Sequence, residues 1–524
     1  VGCCTAFVYT VNRISTGEIF VKTYQKIILS LLSALLLFLS FMDLGFFIWF
    51  ALIPFLFVIK GSSPKMTVLY SFVCGMGFFA GMTFWLVELY VKYIWPLVFA
   101  ALSIYFIIFG IAAYFIINKI QNSYLRMFMI PALWVLVEFV RSQTFLAFTI
   151  GILGYSQHNF LPLMHITRFT GIYGVSFIIL LFNMALFETI IYFNGNRRFK
   201  LKFLVISFSI LILFIIYGLN SVNHTLDRVI KEKGYEQLDI ASVQPKVLFG
   251  NKYSGRGLEI IPERYSTDFY FKPGTELVIF PESALWGNID ENPVFSEWAL
   301  GIMEEEDLNI LIGQYTHDGN KEVWHNSILL YGRQMNILGK YDEIHPVPFS
   351  QYMPHPDMLG FLRFLDFSIV NLEPGRDTSP VLLPNKGYLG FNICYESTLP
   401  GIARQFRNNG AEAIVVVSDD SSLNDSMAPW HHLIFSKVRA IENGCYVVHS
   451  SITGFSAIIS PDGDIKEKAD LMQKDVIYGE IYLMENKTFY AKYGDLLLHI
   501  YLILTAVSAA AYLLWKGIRC RKSR

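Results

Sequence analysis

Apolar runs close to the length of a bilayer crossing recur along this chain, and they limit its fold more than any other feature. They lie at about 25–41, 44–60, 67–90, 95–117, 127–141, 167–193 and 201–218, with an eighth at 496–515. A helix needs roughly 20 apolar residues to cross hydrocarbon, and inside a membrane every backbone N–H and C=O must be satisfied within the protein. The spacing therefore predicts a bundle of eight membrane-spanning helices. The fifth run is the least regular, because Glu138 and Arg141 lie in or beside it. Composition agrees: 53% of residues are hydrophobic and 16% charged, and mean hydropathy is +0.42. Ordinary soluble chains are less apolar and more charged than this.

Basic residues orient the spans. Lys60 and Lys65, Lys119 and Arg126, and Arg197, Arg198, Lys200 and Lys202 fall in alternate loops. Lys516, Arg519, Arg521, Lys522 and Arg524 follow the last run. Cytoplasmic loops are enriched in Lys and Arg. All these groups share the cytoplasmic side if residues 1–24 form a cytoplasmic tail and seven spans occupy 25–220. The polar segment 221–488 then lies on the opposite, periplasmic side, and 489–524 carries the last span and a basic cytoplasmic tail. Residues 1–24 read as a tail rather than a cleaved signal, because a long apolar run follows and others come after it.

Within the polar segment, short β-rich runs alternate with helix-like stretches. Strands are expected at 238–243, 277–280, 310–313, 327–331, 389–393, 413–417, 446–450 and 456–459, and helices at 294–305 and 429–443. This alternation predicts a sheet-based α/β domain with helices packed on it. Two of the strands end in reactive side chains. GYLGFNICYESTLPG (387–401) runs into Cys394, and ELVIFPESALWG (276–287) runs into Glu282. A free cysteine is more often a buried core residue than a nucleophile. A carboxylate delivered the same way makes a thiol and base pair plausible, since strand ends hold side chains rigidly where loops admit substrate.

Other features set limits. The six cysteines, at 3, 4, 74, 394, 445 and 520, are scattered, so no disulfide framework is expected. No His/Cys/Asp cluster suggests a metal, and the adjacent His431 and His432 cannot both face one point from a helix. No cofactor is implied. A net charge of −1 offers no electrostatic case for nucleic acid. Between the fifth and sixth runs, RSQTFLAFTIGILGYSQHNFLPL (141–163) is apolar but broken by Gly151, Gly154 and Pro162, which suits a re-entrant or interfacial segment. Glu138 and Arg141 are spaced to pair on one helix face at membrane depth. Phe361, Phe364 and Phe367 recur at helical spacing, which fits either a core helix or an apolar flap on the lipid surface.

PESALWG, KYDEIHPVPFSQYMP (340–354), NICYE, SDDSSLNDSMAPWHH (418–432) and TGFSAII (453–459) occur in that order, preceded by GYSQ (154–157). Together they resemble the motifs of bacterial apolipoprotein N-acyltransferases, across nearly the whole chain. The resemblance implies an eight-span membrane bundle carrying a periplasmic, nitrilase-like αββα sandwich in the bacterial inner membrane. It implies that a phospholipid, typically phosphatidylethanolamine, loads its acyl chain on Cys394 as a thioester. The chain then passes to the N-terminal amine of a diacylglyceryl-Cys lipoprotein. On this resemblance Cys394 is the nucleophile, Glu282 the general base, and Glu396, beside Tyr395, a supporting acid. Glu138, Arg141, Phe361 and Phe364 would lie toward the lipid.

The chain departs from the family pattern in four places, among them Ser422-Leu423-Asn424 where Trp-Phe-Gly is expected and Tyr253 where a Trp is expected. Glu343 stands where a lysine is expected, and Gln351 where an acid is expected. A carboxylate at 343 would oppose a developing oxyanion, unless Lys340, three residues earlier, reached the site instead. Two further readings follow: a catalytically impaired homologue that binds lipid or lipoprotein, and a membrane-anchored nitrilase-type amidase with water as acceptor.

Overall fold

The structure is a computed structural model that describes residues 22–87, 94–143, 146–192, 201–223, 230, 232–248, 269–291, 293–317, 319–320, 322–365 and 371–522. Most of the expected tail, the basic loop at Arg197 and Arg198, Tyr253 and Phe367 lie outside the described residues, as does the side chain of Phe364.

The first half is helical. In order come α1 (Thr23–Leu39), a 3₁₀ turn (Gly45–Trp49), α2 (Ile53–Lys60), α3 (Pro64–Met82), α4 (Trp95–Lys119), α5 (Ser123–Arg141), α6 (Ile172–Tyr192) and α7 (Leu201–Asn223). Among the described residues, five helical stretches are long and apolar enough to cross a membrane: Pro64–Met82, Trp95–Lys119, Ser123–Arg141, Ile172–Ile191 and Lys202–Ser221. Thr23–Leu39, Gly45–Lys60 and Leu496–Tyr512 are shorter apolar helices. The second expected run is therefore not one straight helix. Phe50 and the turn around it separate the 3₁₀ segment from α2, whose Pro54 sits in the first turn where its missing N–H costs nothing.

The second half builds two six-stranded sheets. Its elements are β1 (Gln237–Gln244), β2 (Leu277–Trp286), α8 (Pro293–Glu306), β3 (Asn309–His317), β4 (Trp324–Tyr331), β5 (Ile337–Asp342), β6 (Val381–Leu383), β7 (Gly387–Ile393), α9 (Pro400–Asn409), β8 (Ala413–Ser418), α10 (Ala428–Asn443), β9 (Val447–Ser451), β10 (Ala457–Ile459), β11 (Ile465–Lys468) and β12 (Asp475–Tyr482). α11 (Leu496–Lys522) follows. One sheet has the order β12-β1-β2-β3-β4-β5 and the other β11-β10-β9-β8-β7-β6. The central strands β1–β2–β3 and β7–β8–β9 are parallel, and antiparallel strands complete each edge. Alternation along β2 makes the layers. Leu277 and Ile279 join Phe391, Ile393 and Val415 in a core between the sheets, while Val278 and Phe280 face Phe295 and Ala299 of α8. With α9 and α10 on the other sheet, the domain has four layers, helix–sheet–sheet–helix.

The two halves share a core. Ile434, Phe435, Val438 and Ile441 of α10 pack with the membrane helices. Buried polar contacts reinforce the join: Arg439 donates to the Tyr155 hydroxyl at 2.6 Å, and Glu442 accepts from the backbone N–H of Ile172 at 2.8 Å. Arg168 pairs with Asp462 at 2.9 Å. The segment after α5 is irregular, and 150–157 are buried. Gly154 is needed there, because a Cβ would approach the Ile172 carbonyl oxygen to 2.7 Å.

Glu138 and Arg141 do not pair as expected. Glu138 accepts from Trp134 Nε1 at 2.8 Å and the Leu153 N–H at 2.9 Å, and Arg141 donates to the Ile150 carbonyl at 2.8 Å. The reason is the irregular backbone beside them, whose own groups need partners that a regular helix would not. Both side chains are buried, so they brace this loop rather than face lipid. The phenylalanine-rich stretch is also no long helix. It is a single turn, Pro356–Leu359, followed by a 3₁₀ segment, Gly360–Leu365, and Met358 and Phe361 are each 74% exposed.

Candidate active site

The reactive groups gather where the C-terminal ends of β2, β7 and β8 meet the loop after β5. Cys394 ends β7 with φ of 47°, a left-handed conformation uncommon for a residue with a side chain. Such a turn lifts the thiol out of the strand ladder. Two donors hold it: the Ser397 hydroxyl and His432 Nε2 each lie 2.9 Å from the Cys394 carbonyl oxygen. His432 in turn presents Nδ1 to Asp420 Oδ1 at 2.9 Å. Both ring nitrogens thus face acceptors, which suits the protonated ring. Burial opposes that charge, but Asp420 outweighs burial and the pKa of His432 is raised.

Asp420, His432 and His449 lie close enough to suggest a metal site. Their donor atoms are already engaged. His449 contacts Ser418 and Ser436, at 3.2 and 2.7 Å, and Asp420 Oδ2 takes a bond from Ser451 at 3.0 Å. The cluster is a hydrogen-bonded brace beneath the nucleophile.

Glu282 sits where the pairing of β2 with β3 slips between Phe280 and Leu285. Irregularities of this kind re-aim side chains out of a strand. Its Oε1 accepts from Asn326 Nδ2 at 2.8 Å, and its Oε2 from the Asp419 N–H at 2.7 Å. The Asp419 N–H also interacts with the Cys394 sulfur. One backbone amide therefore lies between base and thiol. Burial, then the neighbouring acidic groups Glu282, Asp420 and Glu343, hold the Cys394 thiol well above its ordinary pKa. The resting group is a thiol, and attack requires a base within reach.

Glu343 lies just past β5 and is buried. Its Oε2 accepts from Asn326 Nδ2 at 3.0 Å and Gln351 Nε2 at 2.9 Å. The two positions that depart from the expected lysine and acid are thus hydrogen-bonded to each other. Burial, followed by the neighbouring charges of Glu396 and Glu282, raises the Glu343 pKa well above the usual carboxylate range. Lys340 does not take the lysine's place. Alternation along β5 turns Lys340 and Asp342 away from the side that carries Tyr341, and the two pair at 2.8 Å on the opposite face. Lys340→Ala is accordingly expected to leave the acylation rate within about threefold of wild type and stability within about 1 kcal/mol, since exposed pairs contribute little. Stopped-flow acylation and thermal melts check this.

Glu396 ties two loops together. It accepts from the Tyr341 hydroxyl, the Ile344 N–H and the Ile393 N–H at 2.8 Å, and from the His345 N–H at 3.1 Å. Burial still pushes its pKa up to about 7, against the pull of those donors. Tyr395 points to the membrane half, and its hydroxyl donates to the Ala147 carbonyl at 2.7 Å. The structure thus brings together Glu282, Glu343, Gln351, Cys394, Tyr395 and Glu396, and leaves Glu138 and Arg141 on the helical side. Asn326, Tyr341, Asp420 and His432 were not singled out from sequence as members of this site.

Comparison with known proteins follows the same division. Residues 33–185 match the model of the apolipoprotein N-acyltransferase N-terminal domain, and 240–487 match that of carbon-nitrogen hydrolase. An apolipoprotein N-acyltransferase of Geobacter metallireducens is 29% identical over 89% of this chain and 91% of its own length. One from Haemophilus influenzae is 25% identical over 95% and 98%. Yeast Nit3, of the nitrilase superfamily, covers 47% of this chain at 18% identity with a TM-score of 0.37, too loose a likeness to argue from. With both domain matches in the same order and relatives aligned along most of their length, the chain is similar to apolipoprotein N-acyltransferases through both of its halves.

Proposed function

We propose that this protein transfers an acyl chain from a phospholipid to the N-terminal amine of a diacylglyceryl-Cys lipoprotein, through a thioester on Cys394. The observation that carries this reading is the Cys394 turn. The buried Glu282 carboxyl acts on its thiol, and the next residue, Tyr395, bonds directly to the membrane half at the Ala147 carbonyl. A soluble small-molecule amidase needs no such attachment.

In the first step Glu282 accepts the thiol proton as sulfur attacks the ester carbonyl. The tetrahedral intermediate collapses, the ester C–O bond breaks, and the proton passes to the departing lysophospholipid oxygen. In the second step the lipoprotein amine attacks the thioester and the C–S bond breaks. Glu282 relays the amine proton to the released sulfur. The amine competes with water, so the thioester has to be sheltered until the acceptor arrives.

The proposal includes an arrangement in the membrane. Eight spans, three of them by the shorter apolar helices, leave 221–488 on the periplasmic face of the bacterial inner membrane. The basic loops support this orientation. The exposed Met358 and Phe361 suit a segment resting on lipid.

The test is to incubate purified full-length protein in nanodiscs with acyl-labelled phosphatidylethanolamine. A hydroxylamine-sensitive label on wild type and none on Cys394→Ala is expected, followed by transfer to a diacylated lipopeptide. Label lost to water at the same rate with or without lipopeptide would favour the amidase reading. No label at all would leave only the impaired homologue.

A further inference from the structure

We propose that Glu343 acts as a neutral carboxylic acid, and that its Oε1–H donates to the oxyanion formed when Cys394 attacks an acyl carbonyl. The role deepens the acyl-transfer reading and rests on it for the identity of the natural substrate.

The geometry separates the two oxygens of Glu343. Both amide donors, Asn326 Nδ2 and Gln351 Nε2, converge on Oε2. Oε1 is buried and has no hydrogen-bond partner. A carboxylate offers two equivalent acceptors, and leaving one bare in a buried site is costly. A carboxylic acid has one acceptor oxygen and one hydroxyl. Two donors on Oε2 mark it as the carbonyl oxygen, which leaves the proton on Oε1 free to meet a ligand.

The surroundings favour that proton. Asn326 Nδ2 bridges Glu343 Oε2 and Glu282 Oε1, at 3.0 and 2.8 Å, so two carboxyl groups share one donor. Like charges this close cannot both persist in a buried site, and one group keeps its proton. Glu282 has the Asp419 N–H on its other oxygen and is the partner suited to carry the charge. From other elements Glu343 is faced by Glu396 of the nucleophile turn, Tyr341 of β5, Tyr315 of β3 and the Cys394 thiol. The largest influences on it are burial and the acids Glu396 and Glu282. Burial and these neighbours hold its pKa up, as the geometry requires. A neutral acid can therefore supply the donor that an ammonium group would, without a charge of the wrong sign. No net proton transfer at Glu343 is involved.

The test uses full-length protein and two acyl donors, labelled phosphatidylethanolamine and p-nitrophenyl butyrate. The second ester reports Cys394 acylation by nitrophenol release even if phospholipid is not the donor. Glu343→Gln keeps an N–H where Oε1–H was, and is expected to slow acylation by less than about tenfold. Glu343→Met removes the donor at similar size and is expected to slow it by roughly 100- to 1,000-fold. The pH profile separates donation from packing. The ratio of wild-type to Glu343→Gln rates should fall as pH rises and Glu343 ionises, because glutamine does not titrate. A flat ratio, or a Glu343→Met rate at or above wild type, overturns the proposal. Acylation by the nitrophenyl ester but not by phospholipid would refute the lipid substrate and leave the Glu343 role standing. Acylation by neither ester overturns both.

Discussion

Glu282→Gln is expected to slow thioester formation on Cys394 by about 10³-fold at neutral pH, in the middle of the range for loss of a general base. The size follows from the state of the thiol. Burial and the surrounding negative charges raise its pKa, so thiolate is scarce at pH 7 and the base must take the proton during attack. The substitution also removes a negative charge from beside Cys394, which lowers the thiol pKa somewhat and partly offsets the loss. The remaining defect should shrink as pH rises, because hydroxide then does what Glu282 did. In wild type, alkylation of Cys394 by iodoacetamide should keep climbing beyond the ordinary thiol range rather than level off near pH 8.5. Glutamine preserves the shape of the side chain and one acceptor oxygen, so circular dichroism should show the fold intact. Wild-type acylation rates in Glu282→Gln at pH 7 would remove Glu282 from the mechanism.

Much of this site was legible because its frame is apolar. β8 and the first half of β2 are buried on both faces and read as short apolar runs. Edge strands were not legible. β11 is Ile-Lys-Glu-Lys, and β5 and β12 mix polar and apolar residues on half-exposed backbone, as edges that resist stray pairing do. Cys394, Glu282 and Glu396 could be found because they follow apolar strands or each other directly. Asn326 and His432 could not, because their contacts join residues 44 and 38 positions apart, and no local pattern marks them. Glu138 and Arg141 carried the opposite lesson. Helical spacing brings two charges near each other, but the unsatisfied backbone of a neighbouring loop claimed both. The departure at Glu343 read as a charge reversal because sequence shows a residue type and not its protonation. Only the placement of Asn326, Gln351 and the two other acids around it reveals which form the site accommodates.

Glu396→Gln is expected to be the most damaging single-atom change outside the reacting groups, destabilising the protein by about 3 kcal/mol and slowing acylation by more than that loss explains. Glu396 is fully buried, and every donor around it points inward: one phenol hydroxyl and three backbone N–H groups. Glutamine would set an NH₂ group against some of them, and each buried donor left without an acceptor costs about 1–3 kcal/mol. The stability loss is read by chemical denaturation. The added loss of rate has a geometric origin. Ile393 leads into the Cys394 turn, whereas Ile344 and His345 continue the chain from Glu343, so Glu396 sets the distance between nucleophile and oxyanion donor. Its pKa of about 7 also sets the sign of a pH effect. A folded-state value above the unfolded one near 4.3 means that Glu396 stabilises the fold most fully below the unfolded pKa, and that this contribution is lost as pH rises through 7. Glutamine does not titrate, so the stability gap between wild type and Glu396→Gln should narrow from pH 5 to pH 8. A gap that widens over that interval would mean that the donors hold Glu396 ionised throughout, and that its burial is fully compensated.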